Sequence, residues 1–189
     1  PVNISHDGGT SWQKIEKNQM HDDVHHLVMA NDANTMWAAH DGGVSVSYDR
    51  GLHWQNRDKG IGAANVFGVA TSQTDDLHIA YGAYDTGGNM LRHGKWSHVS
   101  WGDGFESIIS PSNSEIVFTT MQNGNIQATY NGKSFDQSFR TNSKTEWHTW
   151  IRMHPVNHET IYCSGASVVR SKNLGKKWEP IFNCNEIDS

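Results

Sequence analysis

The sequence has no long apolar run and no helical repeat. No stretch approaches the roughly 20 consecutive apolar residues that a membrane-spanning helix needs. No window repeats apolar residues at i, i+3, i+4, i+7 over three turns, so amphipathic helices are not expected. Positive charge is scarce as well: 15 Lys and Arg stand against 20 Asp and Glu, for a formal charge of −5. That excludes the basic footprint of a nucleic-acid binder and the polybasic segment of a membrane-surface protein. There are only two cysteines, Cys163 and Cys184. Two cysteines make no framework pattern, so unpaired thiols are the preferred reading, with a disulfide left open for an exported chain. An initiating Met is lacking too. No leader precedes Pro1, and the expectation is a start that was processed or cut from something larger.

What is present is punctuation. Eighteen Gly and eight Trp accompany apolar runs of four to seven residues, such as Val44–Tyr48, Glu115–Thr119 and Ser167–Arg170, bounded by Gly, Asn, Asp and Ser. These read as short strands joined by turns. Three segments share the pattern Ser-x-Asp/Asn-x-Gly-x-x-Trp. They are Ser5-His6-Asp7-Gly8-Gly9-Thr10-Ser11-Trp12, Ser47-Tyr48-Asp49-Arg50-Gly51-Leu52-His53-Trp54 and Ser171-Lys172-Asn173-Leu174-Gly175-Lys176-Lys177-Trp178. Two worn copies lie between them, Arg92-His93-Gly94-Lys95-Trp96 and Thr129-Tyr130-Asn131-Gly132-Lys133-Ser134-Phe135. The closing aromatics fall at 12, 54, 96, 135 and 178, at intervals of 42, 42, 39 and 43. A period near 40 holding about four strands predicts propeller blades. Each residue of the motif suits a turn. Ser5, Ser47 and Ser171 offer a hydroxyl to the local backbone, and Asp7, Asp49 and Asn173 accept from amides two residues on. Gly9, Gly51 and Gly175 supply positive φ, and Trp12, Trp54 and Trp178 cover the turn from below.

The motif resembles the Asp box, or BNR repeat, of sialidases, xyloglucanase-type glycoside hydrolases, sortilin-type receptors and many secreted bacterial propellers. Residues 21–131 resemble most the sortilin-like and xyloglucanase-like branch, through Asp23-Val24-His25-His26, His40-Asp41-Gly42-Gly43-Val44 and Gly102-Asp103-Gly104-Phe105. The expected fold is therefore all-β: four-stranded antiparallel blades, about four of them across residues 1–189, as part of a larger propeller whose remaining blades belong to a parent chain. The resemblance implies a secreted or cell-surface protein, bacterial by its kin, that binds a polysaccharide or a protein partner. It implies no cofactor, no metal, no nucleic acid and no membrane span.

Within each period the order is outer strand, innermost strand, polar corner, second strand, Gly-rich loop, third strand and next box. The innermost strands are expected at His26–Ala30, Val66–Ala70, Ser107–Ser110 and Trp150–His154. Boxes and corners (Asn31–Thr35, Pro111–Glu115) then share one end. The other end gathers the loops before the innermost strands (16–25, 55–65, 98–104, 140–149) and those between second and third strands (40–43, 82–89, 121–125, 165–167). Ligands of such propellers usually sit at that loop end. The candidate ligand-binding residues are Asp22, Asp23, His25, Tyr84, Asp85, Trp101, Asp103 and Trp147.

A metal reading of His21, Asp22, Asp23, His25 and His26 meets an objection: neighbours on a strand point to opposite faces, so His25 and His26 share an ion only across a bend. A glycoside hydrolase, the alternative function, needs two flanking carboxylates. Asp23 and Asp103 are the candidates, at matching blade positions, although Asp is common in loops simply because it caps turns. The arginine cluster, Tyr–Glu pair and Arg-Ile-Pro sequence of sialidases are absent. The xyloglucanase-like enzymes divide their catalytic Asp pair between two propellers, so one run of blades holds at most one. Trp101, Trp147 and Trp150 suit stacking on sugar or peptide, with packing between blades the stronger reading for Trp150. As a solvated loop carboxylate, Asp103 is expected to matter for ligand and little for stability.

Overall fold

The computed structural model describes residues 2–15, 19–61, 64–140, 147–165 and 167–183. Among them the regular structure is all strand except one 3-10 turn, Gln122–Gly124. The chain divides into two compact units, residues 1–63 and 64–189.

In the first unit, β1 (Asn3–Ile4) pairs with β2 (Gln13–Lys14). A four-stranded antiparallel sheet follows, made of β3 (Val24–Met29), β4 (Met36–His40), β5 (Gly43–Ser47) and β6 (Gln55–Asn56). Ile15, Met20, Ala38 and Trp54 form its buried core. The second unit holds three more sheets of the same kind. They are β7 (Val66–Thr71) to β10 (Lys95–Ser100), through β8 (Ile79–Ala83) and β9 (Gly87–Arg92); β11 (Gly104–Ser110) to β14 (Gln137–Arg140), through β12 (Asn113–Met121) and β13 (Asn125–Thr129); and β15 (Trp150–Met153) to β18 (Glu179–Asn183), through β16 (Ile161–Ser164) and β17 (Ser167–Ser171). In all four sheets every strand pairs with the next in sequence, the meander of a propeller blade.

Strand alternation builds the core of the second unit. Val117 and Phe118 are neighbours on β12, so they face opposite ways. Val117 joins Ala80, Met90 and Ile109 in one cluster, and Phe118 joins Ile126, Ile151, Ile161 and Val169 in another. The middle sheet is thus covered on both faces, and full burial of a side chain such as Phe118 contributes about 1.5–3 kcal/mol. Cys163 lies in the second cluster, where burial pushes its thiol up to about 12. It is a free thiol, and Cys184 falls outside the described residues.

The three full repeat turns share one bonding pattern. In the second, Ser47 Oγ accepts from the amides of Asp49 (3.3 Å) and Gly51 (2.8 Å) and donates to Asp49 Oδ1 (2.8 Å). Asp49 Oδ1 then accepts from the His53 amide at 2.9 Å. Ser5 with Asp7, Gly9 and Ser11, and Ser171 with Asn173, Gly175 and Lys177, repeat these bonds. The acceptor therefore reaches four residues on, not two, because two consecutive residues turn left-handed: Arg50 and Gly51 have φ of 60° and 88°, Leu174 and Gly175 of 55° and 84°. The turn is tied to the corner of its own sheet by a backbone bond from Arg50 N to Asn34 O and from Leu174 N to Glu159 O, both 2.9 Å.

The worn copy at 129–135 keeps half the pattern. Thr129 Oγ1 bonds Asn131 Oδ1 at 3.0 Å, and Gly132 N reaches the corner carbonyl of Glu115 at 2.9 Å. The copy at 92–96 does not form the turn. His93 and Gly94, with φ of 49° and 75°, close β9 directly onto β10 as a two-residue hairpin. The closing Trp also covers its turn less regularly than expected. Trp54 is buried and donates Nε1 to Gly51 O at 3.0 Å, whereas Trp12 is 65% exposed.

Candidate functional site

The corner bonds put each repeat turn at one end of its sheet, and a second set of bonds assembles the opposite end. In three of the four-stranded sheets the residue just before the innermost strand engages the loop between second and third strands. Asp23 O accepts from Asp41 N at 3.1 Å in the first unit. In the second unit, Asn65 O accepts from Tyr84 N at 3.1 Å and Asp103 O from Gln122 N at 3.2 Å. Asp23 and Asp103 thus hold the same place in their own sheets.

Three of the four innermost strands, β3, β7 and β11, start with a bulge, and β15 pairs regularly with β16. Register shifts fall between Val24 and His26 in β3, Val66 and Gly68 in β7, and Gly104 and Ser107 in β11. A bulge re-aims the side chain at the break. The bend that strand alternation seemed to deny His25 and His26 is therefore present. His25 pairs with Asp41 through Nε2 and Oδ1, and His21 Nδ1 lies 3.7 Å from an exposed Asp23 carboxylate oxygen. Asp22 sits half-buried between them in sequence.

In the second unit the loops at 84–86, 101–103, 122–124 and 147–149 meet. Asp103 Oδ1 accepts from the Asp85 amide at 3.0 Å, and the Asp103 amide donates to Gln122 Oε1 at 3.1 Å. Asn123 N reaches Trp147 O at 3.4 Å, and Thr149 Oγ1 accepts from Gly124 N at 2.9 Å. Asp85 is left-handed, with φ of 59°. The Asp103 carboxylate is thus half-buried and holds a strained turn, which is a structural duty that the reading of it as a solvated loop acid did not include.

Around these loops stand aromatic rings. Trp101 is 81% exposed and leans on His98 at 4.1 Å between centroids. Trp147 and Trp150 are half-exposed. Tyr84 meets Phe67 edge-on at 4.4 Å and Phe105 at 5.5 Å. His148 is sandwiched, 4.4 Å from Phe105 and 4.3 Å from Trp150, with interplanar angles of 22° and 6°. Trp150 stacks on His148, which in turn lies on Phe105 of the preceding sheet, and it keeps about half its surface exposed. Beneath the stack lies Glu106, buried on β11. Its carboxylate bonds Arg152 Nη1, and His148 Nε2 is 3.8 Å away. Burial above all holds the His148 ring below its ordinary pKa. The Arg152 guanidinium carbon stands 5.4 Å from the Trp150 ring centre.

Sequence reasoning placed His148 in the fourth loop beside Trp147 but did not nominate Phe67, Phe105, Glu106 or Arg152 for the site. One signal for Glu106 was there: a carboxylate inside the apolar strand Phe105–Ile109 must find a cationic partner. Phe67 and Phe105 carried no signal, because the bulge that turns them is a backbone event. Two glycine positions allow the close approach of these strands. A Cβ on Gly82 would lie 2.4 Å from Phe105 O, and one on Gly104 would lie 2.3 Å from Gly87 O.

No family model and no curated protein matches the sequence. Solved structures do. An ancestral GH74 enzyme aligns with a TM-score of 0.52 and 22% identity over 84% of this chain. YCF48, solved bound to D1 peptide, aligns with a TM-score of 0.42 and 14% identity over 94% of this chain. The chain spans 24% of the length of the first and 59% of the second. The first likeness, with the four meander sheets, shows the fold: these are blades of a β-propeller. Among the described residues no helix is long and apolar enough to cross a membrane.

Proposed function

We propose that the chain belongs to a secreted or cell-surface propeller of the Asp-box kind, and that it binds a polysaccharide through the loop end of its second unit. The observation that carries this reading is Trp101, a large ring left 81% exposed on one of the joined loops that also carry the half-exposed Trp147 and lead into Trp150. Flat exposed rings at a loop-rich end suit the faces of pyranose rings. Polar groups for sugar hydroxyls lie nearby in Asp85, Asp103 and Tyr84. Asp22, Asp23 and His25 form the corresponding loop end of the first unit.

A glycoside hydrolase is the second reading, favoured by two acidic residues, Asp85 and Asp103, brought into contact through the Asp85 amide. In it Asp103 or Asp23 acts with an acid supplied elsewhere. The bond from the Asp85 amide supports a binding role for the Asp103 loop instead, since a carboxylate serving a strained turn is a poor choice for proton transfer. The test is a screen of the whole chain against xyloglucan, other glucans, sialosides and a peptide library, with release of reducing sugar read in parallel. Glycan binding that falls about tenfold or more in Trp101→Ala supports the proposal, as the loss of a stacking platform should. Binding of peptides alone refutes it, and turnover lost in Asp103→Ala moves the assignment to the second reading.

A further inference from the structure

We propose that the opposite end of the second unit, where the boxes lie, carries a separate pocket for an oxyanion: sulfate or phosphate, free or as a monoester. A cavity of about 430 Å³ opens there, lined among others by Arg92, Lys95, Ser97, Glu115 and Lys133. Its origin is the failed repeat turn. The blade from β7 to β10 closes with the two-residue hairpin at His93 and Gly94, so no closing turn fills this space.

The hairpin register makes the pocket cationic. Arg92 and Lys95 are directly paired across β9 and β10, so both side chains leave the same face of the sheet. Like charges in that position repel, and a bound anion would relieve them. Lys133, from the worn turn of the next sheet, adds a third cation. The one carboxylate present, Glu115, lies 3.4 Å from Arg92 Nη2, while Arg92 Nη1 donates to Gly132 O at 3.1 Å. Those two bonds fix the guanidinium, and its Nε stays buried without a partner. Lys95 and Lys133 have no acidic partner among the described residues. This excess of positive charge stands out in a chain of net charge −5. Burial first, then Arg92, holds the ring of the fully buried His78 below its ordinary pKa, while Asp75 pulls it the other way. A second cavity, lined by Arg170, Lys172, Lys177 and Glu179, has the same balance of three cations and one carboxylate, but there Glu179 engages two of the cations, Arg170 (2.6 Å) and Lys172 (3.5 Å), whereas Glu115 engages Arg92 alone.

The test is calorimetric titration of the whole chain with sodium sulfate, sodium phosphate, glucose 6-sulfate and glucose 6-phosphate at fixed ionic strength, paired with thermal melts. Saturable binding of at least one probe, raising the melting temperature, is expected. It should weaken about tenfold or more in Lys95→Gln/Lys133→Gln, which removes two charge-assisted bonds. Both lysines are exposed and Lys95 opposes Arg92 across the hairpin, so the variant should fold and melt no lower than the parent in anion-free buffer. Monoesters binding more tightly than the inorganic ions would assign the pocket to an esterified ligand, and the reverse order to the free ion. Absence of saturable binding by all four probes, or equal affinity in the double variant, overturns the proposal. Trp101→Ala should leave these titrations unchanged, whether or not that residue binds glycans.

Discussion

Replacing Ser47 by Ala isolates what one repeat turn contributes. The Ser47 side chain is fully buried, and its hydroxyl takes the amide of buried Gly51 at 2.8 Å and that of Asp49 at 3.3 Å. Ala leaves the Gly51 N–H dry and unpaired, at a cost of about 1–3 kcal/mol. At roughly 2–4 °C per kcal/mol for a chain of this size, the melting temperature should fall by roughly 2–12 °C. Trp fluorescence is the natural assay, because Trp54 is buried and bonded to Gly51 O. The molecule supplies its own controls. Ser171 is equally buried and holds Gly175 N at 2.8 Å, so Ser171→Ala should cost the same. Ser5 makes the same bonds in an exposed turn, with Gly9 N at 2.7 Å. Water can replace its hydroxyl, and Ser5→Ala should stay within about 0.5 kcal/mol. Equal losses at Ser5 and Ser47, or no loss at Ser47 and Ser171, would refute the argument that buried amides set the energy of the turn.

Other outcomes follow from the same geometry. The Asp49 carboxyl is lowered from 3.8 to about 2, chiefly by the His53 amide and ring, and Asp7 is lowered to about 2 by Ser11. The folded state therefore binds these protons less tightly than the unfolded one, so their stabilisation is complete above 3.8 and is lost as pH falls towards about 2. Urea midpoints measured from pH 5 downward should flatten in Asp49→Asn/Asp7→Asn, and an unchanged slope would count against these bonds. Phe118→Ala empties the centre of the larger core and should cost about 3–5 kcal/mol by chemical denaturation; a loss under 1 kcal/mol would mean that the sheets on either side collapse into the space. Asp103→Ala should lower the melting temperature, because it releases the Asp85 amide from a left-handed turn, while Trp101→Ala should not. Gly82→Ala should fail to fold or melt far earlier, since its Cβ would enter the Phe105 carbonyl; a wild-type melt would disprove that close approach.

The blades were legible because they are written locally. A turn of eight residues with Ser, Asp and Gly at set offsets names its own conformation, and the third strands that lead towards it begin 44, 38 and 42 residues apart. Even the order of strands and the convergence of loop ends could be read from spacing. The sites were less legible for three reasons. A bulge shifts register by one residue without a residue type that announces it, so Phe67 and Phe105 stayed hidden. Asp103 reads as a loop acid, yet its partner Asp85 lies 18 residues away and is found only in three dimensions. The segment Arg92–Trp96 has a box-like Gly and Trp, but its two-residue spacing belongs to a hairpin, and only cross-strand pairing reveals Arg92 beside Lys95.

The bonds from Arg50 to Asn34, Gly132 to Glu115 and Leu174 to Glu159 all close within one sheet, over 15 to 17 residues. Loops of that size close at little entropic cost, and contacts so near in sequence form fast. A blade can therefore latch itself as soon as its own third strand leaves the ribosome, before the next blade is made. Each latch protects an otherwise open meander while it waits for its neighbour. The turn that recurs through the chain is in this sense a timing device as much as a structural one, and the blade without it, from β7 to β10, is the one that a tight hairpin must latch instead.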